Sequence, residues 1–223
     1  MHQLDEAKLK SFRHQIKTWA NLHARNFPWR NTTDPYAIFI AELMLQKTNA
    51  ALVASIYQTF MEKYPTLDAL AAAPVEDITK LLQPLGLALR APRLRQSIEM
   101  IQTNFGGKIP ETEAVLLKLP GVGKYTARSI CANAFGQSTA VLDINVARIL
   151  ERFFGLDGGR VKGRSLQLQQ VAQQVAPDTK VSAWNLALLD FGAAVCTARN
   201  PRCSECPLRQ QCHKVTSDEM IMS

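Results

Sequence analysis

Four cysteines crowd into the end of the chain with the spacing Cys196-x6-Cys203-x2-Cys206-x5-Cys212. Thiolates are soft ligands, suited to an iron–sulfur cluster or to zinc. A structural zinc site usually brings two close cysteine pairs, and here Cys203 and Cys206 form the sole such pair. Four free thiols are the third reading. The fifth cysteine, Cys131, reads as a small core residue. Glu42 is the second residue whose placement suggests chemistry. On a helix beginning at Pro35 it lies four residues after Ile38 and three before Leu45, on the apolar stripe. Burial would raise its pKa and keep a proton available near neutral pH, as a general acid requires. The plainer reading is a salt-bridged structural glutamate.

A third group of residues could hold an anion. Leu119-Pro120-Gly121-Val122-Gly123 forces a tight turn between two helices. Glycines let the backbone approach another surface, and the uncapped N–H groups at the start of the second helix form a phosphate site. Lys118, Lys124 and Arg128 add charge, with no acid expected beside them. Such a contact positions a nucleic acid but reads no sequence. The alternative is an ordinary packing corner. Arg199 and Arg202 lie in the stretch between the first two clustered cysteines.

Positioning these residues falls to helices. Apolar residues recur at helical spacing from Leu4 to Arg25, and Phe27-Pro28-Trp29-Arg30 breaks the pattern. Thr33-Asp34-Pro35 starts a helix running to about Thr48. Further helices are expected at about 50–63, 66–72, 74–83, 89–105, 111–118, Lys124 to Phe135, 143–154, 163–176 and 181–195. No region alternates as a strand does, so the fold class is all-α. The 223 residues suffice for one large domain or two small ones. With 26 Lys+Arg against 19 Asp+Glu, the net charge of +7 favours a polyanionic partner without requiring one. Residues 1–20 lack the apolar segment of a secretory signal, and no stretch is apolar enough to span a membrane. A soluble intracellular protein follows as an expectation, and in a reducing compartment clustered cysteines point to metal rather than disulfides.

The blocks FPWR, DPYAIFIAELMLQKT, LPGVGKYTA, VLDINVARIL and the cysteine run resemble the helix-hairpin-helix DNA glycosylases of the endonuclease III superfamily. The resemblance runs from Phe27 to Cys212. It is nearest to the adenine glycosylase branch, and within it to the thymine mismatch glycosylases. It implies two helical domains flanking an active-site cleft. One is a six-helix domain over 29–141 with the hairpin at about 112–135. The other, 1–28 plus 142–223, carries a [4Fe-4S] cluster on Cys196, Cys203, Cys206 and Cys212. Arg199 and Arg202 then sit where the family's cluster loop approaches the DNA backbone. Glu42 matches the family's general acid. Asp143, by itself a good helix N-cap, matches the carboxylate that stabilises charge on the sugar, with Asn145 in support. Tyr125 stands where bifunctional members carry a lysine that forms a Schiff base. A tyrosine cannot form that imine, so monofunctional excision with little or no lyase activity is expected. Lys124, Gly121 and Gly123 become DNA contacts. A flipped nucleotide leaves a gap, and Gln46 and Leu87 are the candidates to fill it.

The target base rests on less. The chain stops eleven residues after Cys212 and has Leu87-Ala88 where adenine glycosylases tend to show paired tyrosines. The expected reaction is therefore base-excision repair of thymine or uracil opposite guanine. Adenine opposite 8-oxoguanine or guanine is the alternative enzyme reading. A non-catalytic iron–sulfur DNA-binding or sensing protein is the alternative of another class. The expected partner is double-stranded DNA with a mismatched or damaged base. The expected state is a monomer, in the cytoplasm or at the nucleoid, with no membrane association.

Overall fold

The computed structural model describes residues 4–221, and of 218–221 only the backbone. In chain order the helices are α1 (Glu6–His23), α2 (Pro35–Met44), α3 (Ala50–Lys63), α4 (Leu67–Ala71), α5 (Val75–Leu82), α6 (Ala91–Phe105), α7 (Glu113–Leu116), α8 (Lys124–Phe135), α9 (Ile144–Phe154), α10 (Leu166–Val175), α11 (Val181–Ala194) and α12 (His213–Ile221). Short 3₁₀ turns link several of them, and no strand occurs among the described residues. The all-α expectation holds.

The chain divides into two compact units, one of Asn26–Gln137 and one joining the chain up to Arg25 with Ser138 onward. Local packing explains why the first break falls before Asn26 rather than after Pro28. Phe27 stacks on Trp29 at 4.9 Å, and Trp29 meets Tyr57 edge-on at 5.4 Å, all within the continuous unit. Ala140 and Leu142 belong to the core of the other unit, which draws the second break back from residue 141.

The continuous unit is organised on α2. Asp34 caps it, accepting from the N–H groups of Tyr36 at 3.2 Å and Ala37 at 3.3 Å, and Pro35 supplies the first turn. A cap of this kind contributes about 1 kcal/mol. Tyr36 to Glu42 are all buried, so α2 runs through the core rather than over it. Two tyrosines lock it there. Tyr57 donates to the Ala37 carbonyl at 3.1 Å, and Tyr36 donates to that of Tyr64 at 2.8 Å.

The discontinuous unit packs α1, α9, α10 and α11 around Phe12, whose ring lies 4.8 Å from that of Phe153 and 5.8 Å from that of Trp184. Arg13 of α1 donates to the carbonyls of Gln174, Val175 and Ala176, satisfying the C-terminal end of α10. The buried Asp190 accepts from Arg25 at 2.7 Å, which ties the end of the N-terminal segment to α11.

Candidate active site and cluster loop

Glu42 lies on the buried face of α2 and is 6 % exposed. Its Oε1 accepts from Ser129 Oγ of α8 at 2.7 Å, and Asn133 Nδ2 donates to the same hydroxyl at 3.1 Å. Its Oε2 is buried with no hydrogen-bond partner. Burial pushes the carboxyl from its ordinary 4.5 to about 7, although the Ser129 hydrogen bond and the Arg30 charge oppose the shift. A buried, unpaired carboxylate oxygen is expensive, so a substantial fraction of the group keeps its proton at neutral pH. The helix pattern that placed Glu42 on the apolar stripe is matched by its burial. Ser129 and Asn133 were missed, although their spacing on α8 is one helical turn.

The hairpin has the form its glycines imply. Gly121 takes φ +84°, a conformation open to glycine at little strain, and Gly123 leads into α8 with no side-chain cap. Both glycines and Lys124 are exposed, as is Lys118. Arg128 departs from expectation. Its Nε donates to Glu113 Oε2 at 3.0 Å, because α7 lies beside α8, so its charge is locally neutralised. Tyr125 is half-buried in the first turn of α8.

The two gap-filling candidates behave differently from their sequence reading. Helix α2 ends at Met44, short of the expected Thr48, and Lys47 adopts a left-handed conformation at φ 61°. Gln46 therefore sits in a turn. Its Nε2 donates to the Gly121 carbonyl at 2.9 Å and to Thr126 Oγ1 at 3.2 Å, and Arg90 donates to its carbonyl at 3.0 Å and to its Oε1 at 3.3 Å. Both ends of its amide are thus occupied. Leu87 is 4 % exposed and packs in the core, so packing accounts for it and it does not project.

In the other unit Asp143 caps α9. Its Oδ1 accepts from the N–H groups of Asn145 at 2.8 Å and Val146 at 2.7 Å, and its Oδ2 accepts from Asn145 Nδ2 at 2.6 Å. Burial raises its pKa, while these three hydrogen bonds and the Arg148 charge pull it down. Cap and carboxylate centre are compatible. Asn145 in turn accepts from Arg148 Nη2 at 2.9 Å, and Arg148 also donates to the carbonyls of Gly192 at 2.8 Å and Cys196 at 2.7 Å. A chain of hydrogen bonds therefore runs from Asp143 to the backbone of the first cysteine.

Arg152, one turn further along α9, donates to the carbonyls of Thr197 at 2.7 Å and Ala198 at 3.2 Å, and its Nη1 lies 3.5 Å from Cys196 Sγ. The Arg202 N–H closes the loop on the Val195 carbonyl at 3.0 Å, with Asn200 left-handed at φ 49°. Arg199 and Arg202 are exposed on this loop. The sequence reading missed Arg148 and Arg152, yet with Asn145 they recur at helical spacing on one face of α9.

Cys196, Cys203, Cys206 and Cys212 line one cavity, walled by Phe153, Phe191 and Leu208. No three His, Cys, Asp or Glu side chains among the described residues converge to hold a single metal ion. Four cysteines around one cavity walled by apolar side chains suit an iron–sulfur cluster. Burial pushes Cys206 to about 11, and the other three thiols push the same way. Cys131 is buried, as a core residue would be.

Residues 40–182 match the HhH-GPD superfamily base excision DNA repair proteins. The chain belongs to that superfamily. Residues 196–212 of this superfamily member match the iron-sulfur binding domain of endonuclease III, so the chain carries a [4Fe-4S] cluster, and all four clustered cysteines lie in that segment. The chain is 35% identical over 213 residues to the thymine/uracil-DNA glycosylase of Methanothermobacter thermautotrophicus, covering 95% of this chain and 96% of that protein. It is 36% identical over 233 residues to the human adenine DNA glycosylase, covering 98% of this chain but 42% of that protein. The solved structure of a thermostable thymine-DNA glycosylase superposes with a TM-score of 0.90 at 34% identity, covering 95% of this chain and 98% of that one.

Proposed function

We propose that the protein is a monofunctional DNA glycosylase that hydrolyses the N-glycosidic bond of thymine or uracil mispaired with guanine. The observation that carries the chemistry is Glu42, a buried carboxyl with one partnerless oxygen and a pKa near neutrality. Such a group can donate a proton to a departing base. Asp143, oriented by three hydrogen bonds, supplies negative charge opposite the developing oxocarbenium ion. Tyr125 at the start of α8 has no amine with which to form an imine, so excision leaves an intact abasic site. Gly121, Gly123 and Lys124 approach one phosphate through the uncapped end of α8, and Arg199 and Arg202 approach another. When bound, the cluster supplies structure, holding the loop that carries these two arginines.

The thymine or uracil target is supported by 35% identity across nearly the whole of a thymine/uracil-DNA glycosylase. Leu87 and Ala88 supply no aromatic ring at the loop before α6.

A panel of end-labelled duplexes tests the reading: G·T, G·U, A opposite 8-oxoguanine, A·G and thymine glycol. The expected result is strand cleavage of G·T and G·U only after alkali, with no borohydride-trapped complex. Cleavage of the adenine duplexes alone would transfer the reaction to adenine. Cleavage of none, with binding retained, would make the protein a DNA-binding module.

A further inference from the structure

A serine inside a helix commonly turns its hydroxyl back on the carbonyl four residues earlier. Ser129 of α8 points elsewhere. It is 3 % exposed, and its Oγ donates at 2.7 Å to Glu42 Oε1 of α2, 87 positions away in the chain. One turn further along α8, Asn133 Nδ2 donates at 3.1 Å to the same Oγ. A hydroxyl has one proton to give. With Asn133 donating to its oxygen, that proton is committed to Glu42 Oε1.

An oxygen that accepts in this way is the carbonyl oxygen of the neutral carboxyl. The acidic proton then belongs on Oε2, which has no partner among the described residues. The other polar groups near α2 are engaged or act on the charge alone. From the turn before α2, the Arg30 charge favours the ionised form. On α8, Arg128 is paired with Glu113, Cys131 donates to the Glu111 carbonyl, and Tyr125 stands one turn before Ser129. From α3, Tyr57 donates to the Ala37 carbonyl. When the C1′–N bond breaks, its electron pair leaves with the base, and Oε2 gives the base its proton. The carboxylate that remains still accepts from Ser129 at Oε1. Water adds its hydroxyl to C1′, and the other proton of that water returns Glu42 to its acid form.

We propose that Ser129, oriented by Asn133, is a positioning residue that keeps the acidic proton of Glu42 on Oε2 for delivery to the departing base. The inference rests on the reading of Glu42 as the general acid, and one arm of its test needs no catalysis. Infrared spectra of the cluster-loaded protein without DNA are recorded below and above about pH 7. Subtracting the same difference for Glu42→Gln isolates the C=O stretch of the protonated carboxyl. A hydrogen bond accepted by C=O lowers that frequency, so Ser129→Ala is expected to raise it and Ser129→Thr to bring it back. Ser129→Ala removes one oxygen and puts a good helix former in α8, so the fold persists. The second arm is single-turnover excision of uracil from G·U across pH. Ser129→Ala loses a hydrogen bond to the charged form, so its alkaline limb should move up by about one pH unit. Its plateau below that limb should fall by about tenfold, because the proton is no longer held in place. Asn133→Leu keeps the hydroxyl but frees its rotation, and should lower the plateau with the limb unmoved. An unchanged frequency in Ser129→Ala, or a loss of rate uniform across pH, would overturn the proposal. If wild type excised nothing, the glycosylase reading would fail, and the infrared comparison would still decide which oxygen carries the proton.

Discussion

Replacing Glu42 by glutamine separates a burial effect from a chemical one. In the unfolded chain the carboxyl titrates near 4.5, and in the folded protein near 7. Between those values the folded state keeps a proton that the unfolded state has released. Stability from this group is therefore complete below about pH 4.5 and is lost as pH rises through about 7. The full difference corresponds to about 3 kcal/mol. Glutamine has nearly the same shape, can still accept from Ser129, and does not titrate. The stability of Glu42→Gln relative to wild type should then rise by about 3 kcal/mol between pH 4.5 and 8 and level off. Denaturant unfolding of both proteins across that range measures it. Excision should move the other way. Single-turnover removal of uracil by wild type should fall as pH rises through about 7, and the variant should lose on the order of 10²–10⁴-fold with no such limb. Parallel stability profiles, or near-wild-type excision by the variant, would refute the assignment of a protonated, buried acid.

Three further outcomes follow from the geometry. Tyr125→Lys puts an amine at the start of α8 and should create a borohydride-trappable complex with substrate DNA that wild type lacks. A Cβ at Gly192 would stand 2.8 Å from Asn145 Cβ, so Gly192→Ala should cost about 1–3 kcal/mol of stability and slow excision by shifting the Asn145 that steadies Asp143. Arg152→Met removes donors to the Thr197 and Ala198 carbonyls and to Cys196 Sγ; it should cost about 2 kcal/mol and speed oxidative loss of the cluster's visible absorption.

Much of this protein is readable without coordinates because its signals are local. Asp34-Pro35 announces the start of α2, and periodicity alone puts Glu42 on its buried side. Gly121 marks the hairpin because its backbone at φ +84° favours glycine. Cysteine spacing marks the cluster loop because thiolates must meet round one centre. What escaped the sequence depends on geometry between elements. The early end of α2 at Met44 turns Gln46 toward Gly121, a partner 75 residues away. The 3₁₀ turn at Ala88–Arg90 decides which of two leucines faces the core, and periodicity is silent where a helix has not begun. Arg128 looked like a free charge until α7 brought Glu113 beside it. Arg148 and Arg152 drew no notice in the sequence, yet their guanidinium groups bind carbonyls of the cluster loop.

In the proposed reaction bond cleavage depends on the charge of Asp143, and Asp143→Asn removes that charge. Asparagine is also a good N-cap, so α9 and the fold should persist. Single-turnover excision of uracil from a G·U duplex, with cluster absorption and duplex affinity held as controls, should fall by on the order of 10²–10³-fold or more. Near-normal excision by this variant would show that cleavage does not depend on the Asp143 charge.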